Sequence, residues 1–132
     1  MRLMIVDDHA GVRQLIRQLV ALPGDAVREC ASGDEAVPLA RDFKPDHVTM
    51  DVRMAGLDGF EATRALCGDH PAVRIVIVTA FDQAELRHAA MAAGAVGYVV
   101  KEHLTQLRSV LLTGRDLNDR DGPRGDGSVE VK

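Results

Sequence analysis

Two adjacent carboxylates, Asp7 and Asp8, stand where an apolar run ends and a helical pattern begins, in "MIVDDHAG" at residues 4–11. Neighbouring carboxylates repel and are costly to desolvate, so a pair at the mouth of a core needs a reason. The plain structural reason is that one caps the next helix and the other is solvated. Three more residues with chemical capacity close later apolar runs: Asp51, Thr79 and Lys101. Each has its own plain reading, as a turn residue, a half-buried strand residue and a solvated lysine. Together they describe a site. Carboxylates converging on one small volume repel unless a cation joins them, and an all-oxygen set suits a hard ion such as Mg²⁺. Mg²⁺ keeps several waters and takes one or two carboxylates plus phosphate oxygens, which points to phosphoryl chemistry rather than a structural cage. A lysine, a hydroxyl and nearby backbone amides could stabilise charge on the equatorial oxygens of a transferring phosphoryl group. No P-loop and no GxGxxG cradles a nucleotide, so the phosphoryl group is expected from another donor and lands on a carboxylate.

The elements that must position these residues alternate. Apolar, β-branched runs at 2–6, 26–30, 47–51, 73–79 and 96–100 are each followed by a helical pattern, at about 10–21, 33–43, 59–67, 83–93 and 103–113. Five such repeats predict an α/β fold, a five-stranded parallel sheet with helices on both faces. Val12, Leu15, Ile16, Leu19 and Val20 make the clearest core-facing stripe. Capping boxes are expected at Ser32/Glu35, Asp58/Glu61 and Asp82/Glu85, and left-handed C-caps at Gly68, Gly94 and Gly114. Pro38 inside the second helix predicts a kink or a late start. In open parallel sheets, ligands bind beyond the carboxyl ends of the strands. In the doubly wound order 2-1-3-4-5, the four strands ending in Asp7/Asp8, Asp51, Thr79 and Lys101 lie side by side. The second strand, which ends at Cys30 without such chemistry, sits at the edge.

At 132 residues the chain is expected to form one domain able to bury a core without disulfides. A formal net charge of -4 gives no broad basic surface, so direct binding to nucleic acid is not expected. Cys30 and Cys67 match neither a zinc spacing nor a disulfide framework and read as free thiols in a reducing compartment, which implies a cytoplasmic location. The amino-terminal run is too short for a signal peptide and no run approaches a membrane span, so no membrane role is expected. The five histidines, His9, His47, His70, His88 and His103, show no metal-ligand spacing; His9 could modulate the acidic pair electrostatically. The domain is expected to end at 114, followed by a disordered polar tail over 115–132.

Over about residues 1–114 the sequence resembles the receiver domain of bacterial two-component response regulators. "VDD" at 6–8, "MDVRMAGLDG" at 50–59, "VTA" at 78–80 and "GYVVK" at 97–101 carry the resemblance, in order and on the expected strand ends. It implies a flavodoxin-like (βα)5 fold in which Asp51 accepts phosphate from a sensor histidine kinase or phosphotransfer protein. By the same resemblance, Asp8, Asp51 and the backbone carbonyl of Arg53 bind Mg²⁺, with Asp7 acting mostly through water. Lys101 pairs with the phosphate and Thr79 moves to hydrogen-bond it. Tyr98 is either a rotameric switch that turns inward with Thr79 or a core aromatic. The readout is a switched protein-binding face in a monomer or phosphorylation-dependent dimer. Phe81 and Arg53 lie where the family tunes water attack, and the bulk of Phe81 is expected to slow hydrolysis. Ala55 stands where a proline is usual. Glu102 stands where a cis-proline is common, leaving the Lys101–Glu102 peptide either cis or trans.

The expected function is a stand-alone phosphoryl-accepting switch that catalyses only its own phosphorylation and dephosphorylation. Its alternatives are the receiver part of a DNA-binding transcriptional regulator, a Mg²⁺-dependent phosphohydrolase working through an aspartyl-phosphate, and an interaction domain deaf to phosphate.

Overall fold

The pleat of each near-continuous aliphatic strand sends successive side chains to opposite faces and so sorts the interior into two layers. The computed structural model describes residues 1–53 and 58–114. In chain order these form β1 (Arg2–Val6), α1 (Ala10–Val20), β2 (Ala26–Cys30), α2 (Gly33–Phe43), β3 (His47–Met50), α3 (Gly59–Asp69), β4 (Arg74–Thr79), α4 (Ala84–Ala93), β5 (Gly97–Val100), a 3₁₀ segment (Lys101–Gln106) and α5 (Leu107–Thr113). All strand pairs are parallel and the order is β2-β1-β3-β4-β5. The parallel sheet is the one the alternating pattern predicts, and its order is the flavodoxin-like one that the family resemblance implies.

Because successive side chains point to opposite faces, Leu3, Ile5, Val76, Val78 and Val99 pack with α1 and α5, whereas Met4, Val6, Val48, Met50, Ile75, Ile77 and Tyr98 pack on the opposite face with residues of α2, α3 and α4. Each fully buried aliphatic contributes about 1.5–3 kcal/mol relative to exposure. Near-continuous aliphatic strands are what a sheet covered on both sides requires. None of the helices among the described residues is long and apolar enough to cross a membrane.

Local chemistry differs from expectation at several helix ends. Ser32 and Asp58 cap as predicted, their oxygens accepting from the amides of Glu35 (3.2 Å) and Glu61 (2.9 Å). The third box does not form: Gln83 is the N-cap of α4, and Asp82 instead pairs with Arg87 at 3.2 Å. Gly94 and Gly114 are left-handed C-caps, but Gly68 lies within α3, and the left-handed residue ending α2 is Lys44. Pro38 does not delay α2, which begins at Gly33 under the Ser32 cap. The last helix is preceded by a 3₁₀ segment that starts at Lys101. The expectations for Ala55 and for the tail at 115–132 lie outside the described residues.

Candidate functional site

The pairing of β1 with β3 sets the first two members of the site side by side. Val6 is in register with Met50, and the ladder continues one residue further: the Asp51 amide donates to the Val6 carbonyl at 2.9 Å and the Asp7 amide to the Cys30 carbonyl at 3.1 Å. The Asp7 carbonyl accepts from the Arg13 guanidinium at 2.7 Å, and Arg13 is itself held by Glu29 at 3.0 Å. One carboxylate oxygen of Asp7 accepts from the His9 amide at 2.8 Å. The strand end is thus tied to the first turn of α1, and Asp7 is 1% exposed.

Lys101 enters from the end of β5. Its Nζ lies 2.9 Å from Asp7 Oδ2 and 3.6 Å from Asp51 Oδ1, so one ammonium is shared by two buried carboxylates. The peptide after Lys101 is trans, which resolves the alternative left by Glu102, and the lysine reaches both acids from it. Asp7 Oδ2 is buried, and the Lys101 ammonium 2.9 Å away is its charged partner. With Asp51 sharing the lysine and the exposed Asp8 next in the chain, the donor set fits a hard divalent cation.

The charge of Asp51 is poised. Burial, then the neighbouring Asp7 carboxylate and more weakly Asp8, push its carboxyl up to about 6; Lys101 and the Val52 amide oppose them. A cation beside Asp51 would offset the repulsion from Asp7 and Asp8.

Thr79 and Tyr98 lie one step away, joined through a single residue. Thr79 is buried and its Oγ1 accepts from the Phe81 amide at 3.3 Å, while the hydroxyl of the fully buried Tyr98 donates to the Phe81 carbonyl. The Arg87 guanidinium lies over the Tyr98 ring at 4.6 Å, and that of Arg53 lies over the Phe81 ring at 4.3 Å. Asp7, Asp51 and Lys101 are therefore brought into direct contact, Asp8 adjoins them, and Thr79, Tyr98 and Arg53 converge on the Phe81 segment. Tyr98 already points inward while the Thr79 hydroxyl is held by Phe81.

Sequence reasoning missed several positioning residues. Gly59 opens α3 with its amide donating to the Val52 carbonyl at 3.0 Å, and a Cβ there would lie 2.1 Å from the Asp51 carbonyl oxygen. The "DG" at 58–59 was the available signal, and it reads first as helix capping. Arg13, Arg87 and the Phe81 backbone act through tertiary contacts that no local spacing announces.

The response regulator receiver domain model matches residues 3–112. The response regulator GacA of Pseudomonas viridiflava is 41% identical over 102 residues, 76% of this chain and 48% of its own length. The transcriptional regulatory protein LiaR of Bacillus subtilis is 35% identical over the same shares. The chain thus spans about half the length of these curated relatives. A crystal structure of a two-component response regulator of the LuxR family from Aurantimonas sp. SI85-9A1 superposes with a TM-score of 0.78 at 39% identity, covering 93% of this chain and 92% of that one.

Proposed function

Because the chain belongs to the response regulator receiver domain family, we propose that it is a cytoplasmic phosphoryl-accepting switch whose acceptor is Asp51 and whose donor is a phosphohistidine on a sensor kinase or phosphotransfer protein. The observation that carries this reading is the recessed Asp51 carboxylate, sharing the Lys101 ammonium with a second buried acid. An Asp51 oxygen attacks phosphorus, the P–N bond breaks with its electron pair returning to the imidazole, and an acyl phosphate forms. A Mg²⁺ ion, when bound, supplies positive charge to the phosphoryl oxygens. Asp8, Asp51 and the Arg53 carbonyl are the residues that would hold it, with Asp7 aiding through water.

The chain's own groups do the rest. Lys101 exchanges part of its interaction with Asp7 for the new phosphate oxygens. The Thr79 hydroxyl gives up the Phe81 amide to donate to the phosphate, and the Phe81 segment, bonded to Tyr98, carries that movement toward α4 and β5. The test is incubation with Mg²⁺ and acetyl phosphate: wild type should take up one phosphoryl group and Asp51→Asn none. Label retained in the variant would mean that the acceptor is elsewhere.

LiaR is a transcriptional regulatory protein, and it and the other relatives are about twice the length matched here, which favours one second reading, in which this receiver governs transcription as part of a DNA-binding regulator. The expectation of no nucleic-acid role rests only on the charge of this chain, and the comparisons do not support it.

A further inference from the structure

The acidic pair has a third neighbour that the receiver reading leaves idle. His9 Nδ1 lies 2.8 Å from Asp8 Oδ1 and 3.5 Å from Asp7 Oδ1, and ligand atoms of the three residues all fall within 4.8 Å of one another. The imidazole is 72% exposed and caps nothing: although His9 is the N-cap of α1, its side chain makes no bond to the helix amides. Its amide, by contrast, is fixed on Asp7 at 2.8 Å, which holds the ring at the rim of the acidic pair. Beside it, Asp7 Oδ2 is taken by the Lys101 ammonium at 2.9 Å, so the donors of the cluster that face solvent are Asp8 and the His9 ring, 40% and 72% exposed.

We propose that His9 is a further side-chain ligand of the divalent cation, and that it tilts the site from Mg²⁺ toward cations that accept an imidazole nitrogen, such as Mn²⁺ and Ni²⁺. This rests on the metal-binding part of the proposed function. Mg²⁺ prefers oxygen and holds its waters, so it gains little from a neighbouring imidazole; borderline transition metals gain a bond. With a cation at the pair, Nδ1 presents its lone pair to the metal instead of pairing with Asp8, and Nε2 carries the ring proton in solvent. Because the ring bonds nothing in the helix, removing it alters the donor set and leaves the α1 cap intact.

Titrating the unphosphorylated full chain with MgCl₂, MnCl₂ and NiCl₂ by calorimetry, wild type against His9→Ala, tests this. His9→Ala should weaken Ni²⁺ binding by about tenfold or more and leave the Mg²⁺ constant within about twofold. Nitrogen coupling in the pulsed EPR spectrum of bound Mn²⁺ should be present in wild type and lost in His9→Ala. Equal Ni²⁺ constants, or no nitrogen coupling in wild type, overturn the role of His9 while Mg²⁺ binding and Asp51 labelling stand. Absence of Mg²⁺ binding itself overturns both this inference and the metal reading beneath it.

Discussion

Lys101 sits closer to Asp7 than to Asp51, at 2.9 Å against 3.6 Å. The lysine thereby neutralises the more deeply buried acid while staying within reach of the proposed acceptor. Removing it leaves two buried carboxylates with no counterion, the costly way to break a buried pair. Lys101→Ala should lower stability in EDTA at pH 8 by about 2–4 kcal/mol, and by clearly less at pH 5, where Asp51 is largely protonated. Urea unfolding at the two pH values measures the difference; an equal loss at both would show that the lysine does not act through these charges.

Asp51 predicts a pH dependence of its own. Its carboxyl is raised from 3.8 to about 6, chiefly by burial and then by Asp7. An acid raised on folding binds more protons in the native than in the unfolded state between about pH 4 and pH 6. Stability of the metal-free protein therefore falls as pH rises through that window and levels off above it. Asp51→Asn should flatten this slope and be more stable than wild type at pH 8 in EDTA, by up to about 3 kcal/mol. Mg²⁺ should narrow the gap by binding wild type preferentially.

Gly59 and Gly68 form a matched pair in one helix. A Cβ at Gly59 would lie 2.1 Å from the Asp51 carbonyl oxygen, whereas one at Gly68 meets nothing within 4 Å. Gly59→Ala must push α3 away from the end of β3, costing about 1–3 kcal/mol and displacing Asp51. Gly68→Ala should be neutral or stabilising by up to about 1 kcal/mol, because alanine is the better helix residue. Chemical denaturation ranks the two, and acetyl phosphate labelling should be slowed only by Gly59→Ala.

How much of this was legible before folding depends on the range of the interaction. Strand ends could be read because burial on both faces demands unbroken aliphatic runs, and a polar residue that stops such a run marks the sheet's edge; Asp7, Asp51 and Lys101 were found that way. The bland reading of Cys30 also holds: it is a free, buried thiol, pushed up to about 11 by burial. What failed was local competition settled by distant partners. Asp82 has the spacing of a cap, but Arg87 takes its carboxylate. Gly68 resembles a helix end, yet α3 runs on to Asp69 because the turn at His70 closes it, the His70 amide bonding the Leu66 carbonyl at 2.8 Å. The stripe on α1 was right for Ile16 and Val20, with Val12 and Leu19 packed against the same cluster, and wrong for Leu15, which is 43% exposed.

Tyr98 offers a clean optical report, since the chain has one tyrosine and no tryptophan. It is fully buried, bonded to the Phe81 carbonyl and covered by Arg87. Iodide should quench its fluorescence several-fold less than that of free tyrosine, even before any phosphoryl donor is added. Arg87→Ala should raise the quenching by opening the ring to solvent. Strong quenching of the untreated wild type would mean that the ring spends its time outward and turns in only on activation.

Phe81 and Arg53, two residues beyond Thr79 and Asp51 in the chain, meet through their side chains. The Phe81 ring carries the Arg53 guanidinium on its face at 4.3 Å, an apolar plate capped by a charge that cannot serve as a base. Neither group can orient a water for attack on the acyl phosphate, so the phosphorylated state should be long-lived. Phe81→Glu replaces the plate with a carboxylate able to hold such a water and to draw Arg53 aside. Loss of radiolabel from the purified phosphoprotein should then be several-fold faster than in wild type. Unchanged decay would show that shielding by Phe81 does not set the lifetime.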